Sequence, residues 1–251
     1  MRRKPLAFVP VSRIVPNTIT LISLCLGFSS IRFALAAGWK YSVACIIGAA
    51  ILDGTDGRVA RLLNSSSQLG AELDSLADFV AFGASPALVL YLFSVNASGA
   101  YGWVVCLFYL VCSILRLARF NIQTLDAATP SWEKKFFTGV PITFAAIIAV
   151  VPIMLEFECS LGLFNHPLFC SVFMLLSGSL MISRIKTFSF KTIQIPHKFM
   201  LPVMLIAGFV VAVFVTIPWL TMLIIVAAYL LMIPISVNRH RKLAAASEVS
   251  I

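Results

Sequence analysis

Acidic side chains are scarce in this 251-residue chain: ten Asp and Glu stand against 19 Lys and Arg, and charged residues of both signs make up only 12% of it. So small a charged fraction, with 60% hydrophobic residues and a mean hydropathy of +0.99, excludes an ordinary soluble domain and indicates an integral membrane protein. Paired cysteine motifs are missing too. Cys25, Cys45, Cys106, Cys112, Cys159 and Cys170 are scattered through apolar segments with no CxxC pair, so neither zinc nor disulfides are expected and their role is that of small buried hydrophobes. There is no internal repeat and no segment that reads as a separate soluble domain. No cleavable signal peptide is expected, because the first apolar run follows a basic, proline-punctuated leader and is longer than an h-region.

What the chain does have is a series of apolar runs of bilayer-crossing length, about 17 to 25 residues each. Eight spans are predicted, at 17–37, 40–62, 72–95, 101–120, 139–157, 166–184, 198–215 and 217–237. The expected fold is an all-α polytopic bundle, with a basic interfacial leader at 1–16, a transmembrane catalytic domain at 17–237 and a tail at 238–251. Pro16, Asn17 and Thr18 form a helix-start signal for the first span, with Asn17 or Thr18 as its cap. The segment from Asn121 to Phe137, with Trp132 as an interfacial anchor, and that from Ile185 to Lys198 read as loops.

A net charge of +9 raises the possibility of a nucleic-acid partner, but the placement of the bases argues against one. On the predicted topology 17 of the 19 Lys and Arg fall on one side, with only Arg32 and Lys40 near the other. That asymmetry predicts cytoplasmic termini and a cytoplasmic site, and basic clusters there suit anionic headgroups.

Four of the ten acids, Asp53, Asp56, Asp74 and Asp78, lie within this hydrophobic context. A carboxylate at membrane depth costs roughly 2.5–3.5 kcal/mol on insertion scales, so four together require compensation. Asp53 and Asp56 are spaced i,i+3 on a helix whose same stripe continues through Gly57 and Ala60, and Asp74 and Asp78 are spaced i,i+4. Two helices joined after Arg61 would aim all four carboxylates into one cleft, which hard divalent cations neutralise best. Pairing with arginine, or an ion path through a cation-coupled transporter, is the alternative. Arg58 points off this stripe and is expected at solvent or headgroups, while Gly70 ends the turn and allows close packing of the next helix.

The string from Asp53 to Asp78, D-x2-D-G-x2-A-R-x8-G-x3-D-x3-D, resembles position for position the signature of the CDP-alcohol phosphotransferase family. Further stretches, SLADFVAFGASPA from Ser75, RLARFN from Arg116 and FTGVP from Phe137, are similar to its bacterial and archaeal phosphatidylserine synthase branch, from about residue 15 to 146. One departure is Thr143, where that branch often carries a second proline. The resemblance implies a six-helix catalytic core, a bacterial inner membrane, a homodimer and two divalent ions, Mg or Mn. Asp53 and Asp74 would bridge the ions, Asp56 would complete one site, and Asp78 would be both ligand and general base. Asn17 and Thr20 become candidate nucleotide contacts, Gly57 and Ala60 admit the flat cytosine, and Arg61 pairs with a phosphate oxygen.

The implied reaction transfers the phosphatidyl group of CDP-diacylglycerol to L-serine, giving phosphatidylserine and CMP. Glycerol 3-phosphate and inositol-type acceptors are the alternatives within the family. Serine carries a carboxylate that needs a cation, for which Arg116 and Arg119 are candidates beside the amide of Asn121, with Arg116 the deeper of the two.

Overall fold

The first two helices, Val11–Leu35 (α1) and Trp39–Leu62 (α2), are joined by the turn 36–38 and form the most extensive helix pair of the chain. The computed structural model describes residues 11–63, 67–125, 136–188 and 200–248. Helices in a bilayer gain little from the hydrophobic effect on associating, so close packing and polar bonds between them carry the contact. Ser23 Oγ accordingly donates to the Ala49 carbonyl at 2.9 Å, and Ser42 Oγ to the Ser30 carbonyl at 2.8 Å. α1 starts at least as early as Val11, so Pro16 lies inside it and neither Asn17 nor Thr18 is its cap. Thr18 Oγ1 instead donates back to the Ile14 carbonyl at 2.9 Å.

The third span is composite. Gln68–Asp78 (α3) begins at Ser67, whose side chain caps the Gly70 N–H, and passes through a π-helical segment, Phe79–Ala84, into Ser85–Phe93 (α4). Pro86 explains part of this irregularity. Without an N–H it cannot donate to the Phe82 carbonyl one turn earlier, and the Tyr109 hydroxyl donates to that oxygen at 2.9 Å. The Ser85 N–H reaches back five residues to Val80, the bond that defines the wider turn. α1 crosses this segment so closely that a Cβ at Gly27 would collide with Ala81.

Ala100–Leu125 (α5) follows, then Ile142–Ala149 (α6) and Val151–Cys159 (α7), one apolar span broken where Pro152 cannot donate to the preceding turn. Pro167–Ile182 (α8), Met200–Thr216 (α9) and Pro218–Glu248 (α10) complete the helices. α6 and α7 carry much of the buried core, from Ala145 to Met154. Among the described residues five helical stretches are long and apolar enough to cross a membrane, and α8 and α9 are shorter apolar helices. α2 is of crossing length as well and carries two of the acids. The chain is an all-α polytopic membrane protein.

Two further features differ from the sequence expectation. α10 continues through 238 to Glu248 instead of giving way to a tail. Phe136–Thr138 (β1) and Lys186–Phe188 (β2) form a short antiparallel ribbon within the two predicted loops, with Phe137 opposite Thr187. Gly139 closes the ribbon at φ +81°, where a Cβ would stand 2.6 Å from the Met181 carbonyl oxygen. Trp132 and most of the basic leader lie outside the described residues.

Candidate active site

Because α1 and α2 turn back at 36–38, Arg32 and Lys40 lie at the end of the hairpin opposite the aspartates. The carboxylate end is therefore where the start of α1, the end of α2, the start of α3, the end of α5 and the start of α6 converge. Asp53, Asp56 and Asp74 each offer a carboxylate oxygen to a cluster in which these atoms lie within 4.8 Å of one another. Asp56 is buried, at 5% exposure, while Asp53 and Asp74 are partly exposed. Asp78 approaches Asp53 within hydrogen-bonding reach and is within electrostatic reach of Asp74 and Asp56. The structure thus brings all four aspartates together from two separate helices.

Hydroxyl and amide donors hold these carboxylates. Thr20 Oγ1 donates to Asp56 Oδ2 at 2.7 Å, and the Gly57 N–H donates to Asp56 Oδ1. Thr143 Oγ1, from the first turn of α6, donates to Asp53 Oδ2 at 3.1 Å. Four clustered carboxylates, two of them held by neighbouring donors, fit a divalent cation, whose charge would offset the repulsion among them.

Two cavities flank the cluster and share Asp56, Gly57, Arg61 and Asp74 as a common wall. The smaller, about 220 Å³, also takes in Pro16, Asn17, Thr20, Ala60, Ser67 and Gly70. Its floor is open because a Cβ on Gly57 would meet no atom within 4 Å, and because Gly70 leaves room for the Asn17 side chain, whose Oδ1 would be 3.0 Å from a Cβ there. Every residue expected at the nucleotide, Asn17, Thr20, Gly57, Ala60 and Arg61, lines this cavity.

The larger cavity, about 500 Å³, extends past Asp53 and Asp78 to Arg116, Phe120, Pro141, Thr143 and Phe144. Arg116 is 4% exposed, and its Nε donates to the Val140 carbonyl at 3.1 Å. Arg119 and Asn121 do not line this cavity. Arg119 Nη1 donates to the Ile182 carbonyl at the end of α8, at 2.8 Å, and Asn121 pairs with Ser75 on α3 at 3.1 Å. The three candidate acceptor residues are therefore split, and only Arg116 faces the larger cavity. Arg58 is exposed, as expected, and also borders the mouth of this cavity, where a long side chain can reach from off the acidic stripe. Thr143 was visible in the sequence only as a departure from proline; a hydroxyl just after FTGVP, in an otherwise apolar run, was the available signal.

The fold and site define a polytopic helical membrane protein with a carboxylate cluster between two cavities. A family model described as CDP-alcohol phosphatidyltransferase matches residues 13–181, and a second, CDP-alcohol phosphatidyltransferase 2, matches residues 198–234. The chain is similar to a protein of Mycobacterium leprae named CDP-diacylglycerol–serine O-phosphatidyltransferase, 40% identical over 237 residues that cover 94% of this chain and 78% of that one. Proteins of the same name from Helicobacter pylori and Bacillus subtilis are 37% and 32% identical, covering 71% and 70% of this chain and 73% and 91% of their own length. The chain belongs to the CDP-alcohol phosphatidyltransferase family, whose members are enzymes of phospholipid synthesis and generally depend on divalent metal.

Proposed function

We propose that this enzyme transfers the phosphatidyl group from CDP-diacylglycerol to L-serine, releasing CMP and leaving phosphatidylserine in the membrane. The carrying observation is the acidic wall between two cavities, one lined by the candidate nucleotide residues and the other backed by buried Arg116. The names of the relatives support the donor and acceptor. In this reading cytosine lies over Gly57 and Ala60 in the smaller cavity, and Arg61, at the shared wall, pairs with the diphosphate. Serine occupies the larger cavity with its carboxylate on Arg116, a buried guanidinium with donors to spare beyond Nε.

Asp53, Asp56, Asp74 and Asp78 would hold two divalent ions, Mg or Mn, which when bound neutralise the diphosphate and favour loss of the acceptor's hydroxyl proton. Asp78, on the larger-cavity side only, accepts that proton. The serine oxygen forms a bond to the phosphatidyl phosphorus as the bond from that phosphorus to the CMP oxygen breaks, and the electron pair departs with CMP. Asp74 and Asp56, common to both cavities, sit at the reacting diphosphate. The same reading places the carboxylate end and both termini on the cytoplasmic side of a bacterial inner membrane and pairs two copies into a homodimer.

Purified enzyme given CDP-diacylglycerol and metal, with labelled serine, glycerol 3-phosphate or inositol phosphate in turn, tests the proposal. Stoichiometric CMP release with label entering lipid from serine is expected. Label entering only from another acceptor rejects the serine assignment. Substrate movement across vesicles without CMP would point to a transporter.

A further inference from the structure

Thr143 lines the larger cavity with a hydroxyl bonded to a member of the carboxylate cluster, and it belongs to a helix different from those that carry the acids. Asp53 stands on α2, and the bond to it crosses from α6. The segment bearing Thr143 is fixed from several directions. The Val140 N–H donates to the Leu180 carbonyl at 3.1 Å, the Val140 carbonyl accepts from Arg116, and the Gly139 N–H donates to the Ile185 carbonyl at 2.8 Å. Phe144, the next residue, stacks on Tyr229 of α10 with centroids 4.3 Å apart and planes 13° from parallel. A hydroxyl on so constrained a turn has little freedom to follow Asp53; the carboxylate must conform to it.

We infer that Thr143 is a positioning residue: its hydroxyl sets the orientation of the Asp53 carboxylate and thereby the site's affinity for divalent metal. This rests on the proposed reading of the aspartates as metal ligands. An accepting oxygen has two lone pairs, so Asp53 Oδ2 keeps one for a cation while Thr143 occupies the other. Orientation of this kind is worth 10- to 100-fold in metal affinity where an outer partner of a ligand is removed. Thr20 makes the matching bond to Asp56 from α1, so the two acids of α2 are held from two different helices. Thr143 differs from Thr20 in lining only the larger cavity, away from the candidate nucleotide contacts. Proline at this position would supply no hydroxyl.

The test is Mn²⁺ binding to the full-length enzyme in detergent, measured by the electron paramagnetic resonance of free Mn²⁺ without substrate. Thr143→Val keeps the shape and removes the donor, whereas Thr143→Ser keeps the donor. The expected result is a 10- to 100-fold weaker Kd for Thr143→Val and a Kd within about threefold of wild type for Thr143→Ser. The metal concentration for half-maximal turnover should rise in parallel, with the KM for CDP-diacylglycerol restored to near wild type once metal is saturating. Thr143→Val binding Mn²⁺ as wild type does would overturn the inference and leave the proposed function intact. Equal weakening in Thr143→Ser would overturn it as well, by showing that packing is the cause. Failure of the wild type itself to bind Mn²⁺ would sink the metal reading on which both stand.

Discussion

Arg116 and Arg119 are one helical turn apart on α5 and equivalent in charge, yet their surroundings predict opposite consequences of the same change. Arg116 is buried against the larger cavity with Nε on the Val140 carbonyl, while Arg119 is bonded to the end of α8. Arg116→Lys keeps a cation but loses the planar fork that grips a carboxylate with two parallel bonds. Losing one charge-assisted bond of about 1.5–3 kcal/mol, at 1.4 kcal/mol per factor of ten, lowers kcat/KM for serine by roughly 10- to 150-fold. The loss should fall mainly on the serine KM, because the interaction is made already in the bound ground state. The KM for CDP-diacylglycerol should stay near wild type, since the candidate nucleotide residues lie on α1 and α2. Arg119→Lys should lower the thermal midpoint of the detergent-solubilised protein by a few degrees and leave the serine KM alone. Initial rates of CMP release, with serine varied at saturating donor and metal, supply both constants. A normal serine KM in Arg116→Lys, or the serine defect appearing in Arg119→Lys, would refute the assignment.

Other outcomes follow from the same geometry. Asp78→Asn is expected to retain part of the Mn²⁺ binding yet reduce turnover at least a hundredfold, as loss of a general base does, measured by CMP release at saturating metal. Gly57→Ala places its methyl in open space and improves helix propensity by up to about 1 kcal/mol, so it should raise the thermal midpoint while raising the KM for CDP-diacylglycerol. Gly139→Ala meets both a positive φ and the Met181 carbonyl, and should destabilise the enzyme by at least about 1–3 kcal/mol, read as a lower midpoint. Reducing agent should change neither stability nor rate, because all six cysteines are free thiols.

Much of this was legible in the chain before any coordinates. Hydropathy located the apolar helices among the described residues because the bilayer sets a length that few sequences meet by accident, and the periodicity of α2 and α3 aligned the acids because a helix repeats every 3.6 residues. What escaped was what depends on contacts between distant segments. Arg116 and Arg119 look alike in sequence; only the arrival of Val140 and Ile182 beside them separates a cavity wall from a helix end. Asn121 was similarly claimed by Ser75, 46 residues earlier. The start of α1 was misplaced because Pro16 is a common boundary signal, yet near a helix start it costs little more than one backbone bond. The ribbon was missed because three-residue strands carry no usable periodicity.

The partition formed by Asp56, Gly57, Arg61 and Asp74 has a pharmacological consequence. On the proposed reading, a compact blocker shaped for the 220 Å³ compartment alone would compete with the liponucleotide and leave amino-acid docking undisturbed, whereas one shaped for the other compartment would do the reverse. Joining the two warheads across the aspartate divide would turn two weak footholds into one strong one, since the second docking becomes intramolecular.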